Sequence, residues 1–247
     1  MIFAIILTKN EEKNISQAIK SLKWCSEIIV VDDYSTDKTA VIAKKLGAKV
    51  YIHRSKGDFS EQRNFGLKQA KGEWVLFVDA DEIVTKELRQ EISSKVQQAH
   101  KVNGFYLKRK DKFMGRWLKH GETNKVKLLR LAKKDSGEWQ GKVHETWQIK
   151  GKVLTLANPL IHEREINISQ FIKRIDDYSS LRAEELYQKG VRTNILAIMA
   201  YPLGKFCQNY ILRLGFLDGM PGFIMAIMMS WHSFLVRAKL YLFWKKK

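Results

Sequence analysis

The first hundred residues alternate between near-continuous apolar runs of strand length and segments whose apolar positions recur three and four apart. "IFAIILT", "EIIVVDD", "AKVYIH" and "WVLFVDA" do not alternate apolar with polar as a half-exposed strand would. Runs of this kind belong to strands buried on both faces of a sheet. Between them Ile15, Ile19 and Leu22 recur at helical spacing, and Asn10 with Glu11 and Glu12 reads as an N-cap with an acidic first turn. A second helix opens at Ser35 to Asp37 and ends at Gly47. A third starts at Ser60-Glu61, runs through Phe65, Leu67 and Ala70, and closes at Gly72. A fourth begins at Thr85 and carries Leu88, Ile92 and Val96. Four strand–helix units in series predict an α/β fold with a mostly parallel sheet and helices on both faces.

Residues 103 to 165 change character. "GFYLKRKDKFMG", "KVKLLRLAKK" and "KVLTLANPLIH" read as short strands extending the sheet in antiparallel fashion. Trp117, Trp139 and Trp147 lie between them, aromatic residues of the type on which sugar rings stack. From about Ser169 the pattern is helical again, through "FIKRIDDYSSLRAEELYQK", "ILAIMAYPLGKFCQNYILRLGFLDG" and "FIMAIMMSWHSFLVRAKLYLFWKKK". The expected organisation is a catalytic domain over 1–165, with 1–100 the ligand-binding half and 101–165 the acceptor side, and a helical extension over 166–247. No internal repeat interrupts it.

In open sheets ligands bind beyond the carboxyl ends of the strands. The polar residues there are Thr8 and Asn10, Asp32 and Asp33, His53, and Asp79 and Asp81. No G-x-G-x-x-G or G-x-x-x-x-G-K loop follows any strand, which argues against a dinucleotide or P-loop enzyme. Asp79 and Asp81 are separated by one alanine and repel each other unless a cation intervenes. An isolated D-x-D is a weak signal, because a strand followed by an acidic turn supplies one as readily. At a strand terminus, however, hard oxygen ligands suit Mg²⁺ or Mn²⁺ bridging a ligand diphosphate.

Charge separates the two parts of the chain. There are 44 basic and 26 acidic residues, a net of +18. Residues 1–100 hold 16 and 14 of them, leaving 28 and 12 in residues 101–247, so the later part carries 28 − 12 = +16. A basic half favours a polyanionic partner, nucleic acid or an anionic membrane surface. Cys25 and Cys207 form no disulfide framework, and "MIFAIILTKNEEKN" lacks the basic region and apolar length of a signal peptide, so a cytoplasmic location is expected.

"ILTKNEE", "VVDDYSTDKT", "QRNFGLKQAKGEWVLFVDADE" and "GEWQGKVHE" together resemble the successive signatures of family 2 glycosyltransferases with the GT-A fold. The "W-x-G-x-V-H-E" and "G-F-L-D-G" segments are similar to those of bacterial lipopolysaccharide-core β-glucosyltransferases, and the likeness spans nearly the whole chain. The resemblance implies an inverting hexosyltransferase that moves a sugar, glucose by this likeness, from a UDP-sugar to a lipopolysaccharide-core or other lipid-linked acceptor. It assigns Thr8 and Asp32 to the uridine, with Asn10 and Glu11 in the same nucleotide loop and Arg63 near the nucleotide. Asp79 and Asp81 fall on the metal and diphosphate motif, Asp81 as the direct ligand and Mg²⁺ or Mn²⁺ as the ion. Asp33-Tyr34 stands where many relatives carry a small pair. An inverting transfer needs a base on the face opposite the leaving diphosphate, and Glu145, beside His144, is the match. His144 is a secondary candidate, His162 reads as a packed histidine, and Trp139 fits sugar stacking and core packing equally.

Between Val191 and Lys247 the only acid is Asp218, amid aliphatic and aromatic residues. Phe223 to Val236 is uncharged for 14 residues, short of the roughly 17–25 that a spanning helix needs. Trp231, Trp244 and the closing lysines resemble interfacial anchors. The expectation is a peripheral protein on the cytoplasmic face of the inner membrane, with a helical cap or dimer surface as the alternative. Two rival functions are weaker. A haloacid-dehalogenase-type phosphatase also uses a strand ending in D-x-D, but normally on its first strand. A nucleic-acid binder would place its basic residues on polar helices within a recognisable motif, and none is present.

Overall fold

The computed structural model describes residues 1–55, 57–123, 126–141, 145–163 and 168–245. Residues 1–109 with 126–163 form one compact unit, and the described residues within 110–125 and 164–247 form a second.

The first unit is built on strands β1 (Ile2–Thr8), β2 (Glu27–Asp32), β3 (Lys49–Ile52), β4 (Trp74–Asp79), β5 (Glu82–Ile83), β6 (Val102–Phe113), β8 (Lys127–Lys133) and β11 (Lys152–Glu163), in the order β3-β2-β1-β4-β8-β6-β11-β5. β3, β2, β1 and β4 run parallel, and β8 joins β4 antiparallel, as the apolar runs and the later strand pattern predict. β6 and β11 are 12 residues each and fall on the runs "GFYLKRKDKFMG" and "KVLTLANPLIH", β6 starting two residues earlier. β6 continues past Arg109 into the second unit, where its end pairs with β7 (Arg116–Trp117). A separate hairpin joins β9 (Gly137–Gln140) to β10 (Thr146–Ile149).

Alternation along the buried strands makes two cores. Ala4 and Ile6 of β1 with Leu76 and Val78 of β4 face one side, where α1 (Ile15–Ser21) and α4 (Lys86–Gln97) add Ile15, Ile19, Leu88 and Ile92. Phe3, Ile5, Val75 and Phe77 face the other, against Leu67 of α3 (Phe59–Gln69) and against Trp139 and Trp147 of the hairpin. α2 (Thr39–Lys45) completes the helical layers. Gly66 is required where α3 meets the sheet, since a Cβ there would lie 2.8 Å from Ile5 Cγ2 and 3.1 Å from Val31 Cγ2.

Three helix starts differ from the sequence reading. α2 begins at Thr39, just past the Ser35–Asp37 segment expected to open it. α1 begins at Ile15, because Asn10 is in the left-handed region (φ 55°) and its side-chain oxygen accepts from Thr36 N–H instead of capping a helix. α3 is capped by Asp58, which accepts from Glu61 N–H, two residues before the expected start.

In the second unit α5 (Ile168–Gln188) packs on α7 (Gly219–Lys245) through Ala183, Leu186, Val236 and Leu240. α6 (Ile195–Phe206) leads into a π-turn at Cys207–Leu212 and a 3₁₀ turn at Gly215–Asp218. The "G-F-L-D-G" segment has a structural role here: buried Asp218 accepts from the backbone N–H groups of Lys119 (3.0 Å) and His120 (2.8 Å). α7 runs for 27 residues, well past the uncharged stretch of 14. Lys239 lies within it, and oxygens of Asp176, Ser179 and Ser180 on α5 accept from its ammonium group. By length and composition alone, residues Gly215–Lys245 are long and apolar enough to cross a membrane.

Candidate active site

The parallel register aligns Thr8 with Asp32 and Leu7 with Asp79, so β1, β2 and β4 end side by side at the carboxyl edge of the sheet. The loops beyond β1 and β2 are laced together. Asn10 N–H donates to Ser35 Oγ (2.9 Å) and Glu11 N–H to Thr39 Oγ1 (2.8 Å). The Asp32 carboxylate accepts from Ser35 N–H at 2.9 Å and from its hydroxyl. Burial works against ionisation of Asp33, but hydrogen bonds from Ser55 and the ammonium of Lys9 hold its carboxyl below the usual range. Thr8 Oγ1 is buried with no hydrogen-bond partner among the described residues.

A second cluster gathers around Asp79. Arg63 on α3 donates from Nη2 to Asp79 Oδ1 (3.1 Å) and from Nε to Glu145 Oε1 (2.9 Å). Arg130 on β8 donates from Nη2 to Asp79 Oδ2 at 2.7 Å. Burial raises the cost of a charge at Asp79, yet the guanidinium groups of Arg130 and Arg63 overcome it and hold the carboxyl well below the ordinary range. Glu82 accepts from the N–H of Asp79 (2.9 Å), and burial, reinforced by the Asp79 charge, pushes its carboxyl up. Two arginines thus hold Asp79, the first carboxylate of the D-x-D pair, and Oδ2 of the second, Asp81, lies 3.3 Å from His162 Nε2.

Asp79, Arg63 and Glu145 are thus brought together from separate segments, as are Asp81 and His162. Thr8 and Asp32 end the neighbouring strands β1 and β2, and Asn10 and Glu11 lie in the loop beyond β1. His144 lies outside the described residues. Trp139 is buried and stacked on Trp147 (5.4 Å between centroids), so it fills the core and offers no platform to a sugar. Its outer face carries the Arg63 guanidinium at 4.6 Å, and reciprocal 2.9 Å bonds between Asn64 and the Trp139 backbone fix it to α3.

Arg130 escapes the sequence reading, and His162 is read there only as a packed histidine. Arg130 was visible as a lone charge inside "LLRLA", an apolar strand run that a buried cation enters only with a partner. His162 gave no such signal. It is set opposite Glu82 by the antiparallel pairing of β11 with β5, a register no local spacing encodes.

Comparison with known proteins follows the same line. The family model for glycosyl transferase family 2 matches residues 3–154. An uncharacterised glycosyltransferase of Rickettsia bellii is 30% identical over 97% of this chain and 85% of its own length. The lipopolysaccharide core biosynthesis glycosyltransferase LpsC of Rhizobium meliloti is 27% identical over 96% of this chain and 91% of its own. Among solved structures, glucosyl-3-phosphoglycerate synthase from Mycobacterium tuberculosis, in complex with Mn²⁺, UDP and glucosyl-3-phosphoglycerate, superposes with a TM-score of 0.52. It is 17% identical, covering 78% of this chain and 81% of that one. The fold is of the GT-A type, which removes the phosphatase alternative. With 152 of its 247 residues inside the family model and a relative matching it nearly end to end, the chain belongs to glycosyl transferase family 2.

Proposed function

We propose that the protein is an inverting hexosyltransferase that moves glucose from UDP-glucose to a lipid-linked saccharide of the lipopolysaccharide-core class, at an anionic membrane surface. The observation that carries this reading is Arg63, whose single guanidinium bonds both Asp79 at the D-x-D strand end and Glu145 from the "W-x-G-x-V-H-E" segment. Donor motif and candidate base then share one site although 66 residues separate them (145 − 79). The likeness to LpsC supports the acceptor class, and the UDP in the mycobacterial synthase supports the donor.

Thr8, with its unpartnered hydroxyl, and Asp32 contact the uridine, and Asn10 and Glu11 shape the loop beside it. The Asp81–His162 pair offers a carboxylate oxygen and an imidazole nitrogen 3.3 Å apart, with Asp79 close by in sequence. Such a set fits Mn²⁺ or Mg²⁺, which take few protein ligands and complete their shell with water and substrate phosphates. The ion, when bound, would offset charge on the departing diphosphate. Glu145 takes the proton of the acceptor hydroxyl as the new C–O bond forms at the anomeric carbon, on the face opposite the breaking bond.

Glu145→Gln tests the assignment. Turnover should fall by roughly two to four orders of magnitude, the scale of a general base, while UDP affinity stays near wild type. Turnover near wild type in that variant would take the role of base away from Glu145.

The membrane component rests on the second unit. α6 buries none of its residues, and Leu196, Leu203 and Leu212 are 75%, 67% and 77% exposed. An apolar surface of that kind on a basic unit matches an anionic bilayer, where apolar burial and lysine–phosphate attraction act together.

A further inference from the structure

A guanidinium group carries five N–H donors, and burying it is unfavourable unless they meet acceptors. Arg63 and Arg130 are only 4% and 6% exposed. Among the described residues Arg63 uses Nε and Nη2, and Arg130 uses Nη2. Arg63 Nη1 and both Nε and Nη1 of Arg130 are buried with no acceptor among the described residues, and so is Trp139 Nε1 beneath them. The Trp139 ring lies 4.6 Å from the Arg63 guanidinium and 6.0 Å from that of Arg130, so neither group is loose. Asp79 and Glu145 balance the two guanidinium charges, but they do not use up the donors. Two guanidinium groups converge on Asp79 from different elements and keep spare N–H groups in a water-poor site.

We propose that Arg130, acting with Arg63, is the receptor for the anionic leaving group, the diphosphate of the donor nucleotide, and that Asp79 is the counter-ion holding both guanidinium planes ready when no donor is bound. This rests on the UDP-sugar reading above. A phosphate meets a guanidinium through paired, charge-assisted bonds, which matches the spare N–H donors. When the bond between the anomeric carbon and the diphosphate oxygen breaks, its electron pair stays on that oxygen. The acceptor oxygen forms the new bond and its proton passes to Glu145. Charge on the diphosphate therefore grows at the transition state, and preorganised donors stabilise it there more than in the ground state. Arg130 thus contributes to turnover as well as to donor affinity.

Calorimetric titration of UDP and of uridine, both with Mn²⁺, into wild type, Arg130→Met and Arg130→Lys tests this. Arg130→Met should weaken UDP by about tenfold to a hundredfold, the scale of losing charge-assisted bonds, with uridine changed less than about twofold. Arg130→Lys keeps a charge beside Asp79 but loses the fork, and should show the same selective loss at about fivefold or more. It carries the test alone if Arg130→Met does not fold. UDP affinity within twofold of wild type in whichever variants fold would make Arg130 a structural partner of Asp79 and overturn the proposal. A wild-type protein that binds no UDP would instead sink the UDP-sugar reading, and the inference with it.

Discussion

Asp81 and His162 hold each other at 3.3 Å, one at the end of the D-x-D turn and the other on β11. Both atoms are ones a divalent ion would take. EDTA should therefore abolish transfer and Mn²⁺ restore it, and Asp81→Asn and His162→Ala should each weaken Mn²⁺ binding, read by calorimetry. Full activity in EDTA would contradict the metal assignment. Asp81→Asn should leave the melting temperature within a few degrees, because an amide can still bond the imidazole. Residues of this site were legible in the sequence wherever they were neighbours along the chain. Asp79 and Asp81 stand out because they end an apolar run, and Glu145 because it closes a recognisable segment. Arg130 and His162 belong to the same cluster through strand pairing between distant parts of the chain, which periodicity does not encode.

Helix and strand identity followed from apolar spacing, but several boundaries did not, because side chains far away decide them. Asn10 resembles a cap until Thr36 N–H claims its oxygen, and the long β11 is held partly by a helix it packs against. Glu91 of α4 accepts from the backbone N–H groups of Ala157 (2.7 Å) and Asn158 (2.8 Å) and from the Asn158 side chain. Burial disfavours that carboxylate, yet these bonds hold its carboxyl below the ordinary glutamate range. A lowered folded-state value means that its stabilisation is complete above the unfolded value and disappears as pH falls through the folded one. Glu91→Gln should accordingly cost about 1–2 kcal/mol at pH 7, as a partly exposed group losing charged hydrogen bonds. The gap between variant and wild type should narrow as pH drops below about 4. Urea unfolding at several pH values measures it, and a gap independent of pH would show that charge is not what Glu91 contributes.

Across the whole molecule, a charge-balanced first hundred residues precede a strongly basic remainder, and this asymmetry was plain in the composition. Hidden from it were the length of α7 and the exposure of α6, since composition does not say which apolar side chains find a partner helix and which stay on the surface. The full-length protein should sediment with anionic vesicles at low salt. High salt should release only part of it, because apolar contact is not screened. Replacing exposed Leu196, Met199 and Leu203 with serine should leave the fold intact and reduce binding. Protein that stays wholly in the supernatant would make these helices a structural cap. The central claim is narrower than the membrane one: this chain uses a uridine diphosphate sugar. A thermal melt with Mn²⁺ and either UDP or ADP tests it most directly. At a hundred times its dissociation constant UDP contributes about 2.7 kcal/mol, a rise of roughly 5–10 °C for a chain of this size. The account predicts that rise with UDP and little with ADP, and equal shifts, or none with UDP, would contradict it.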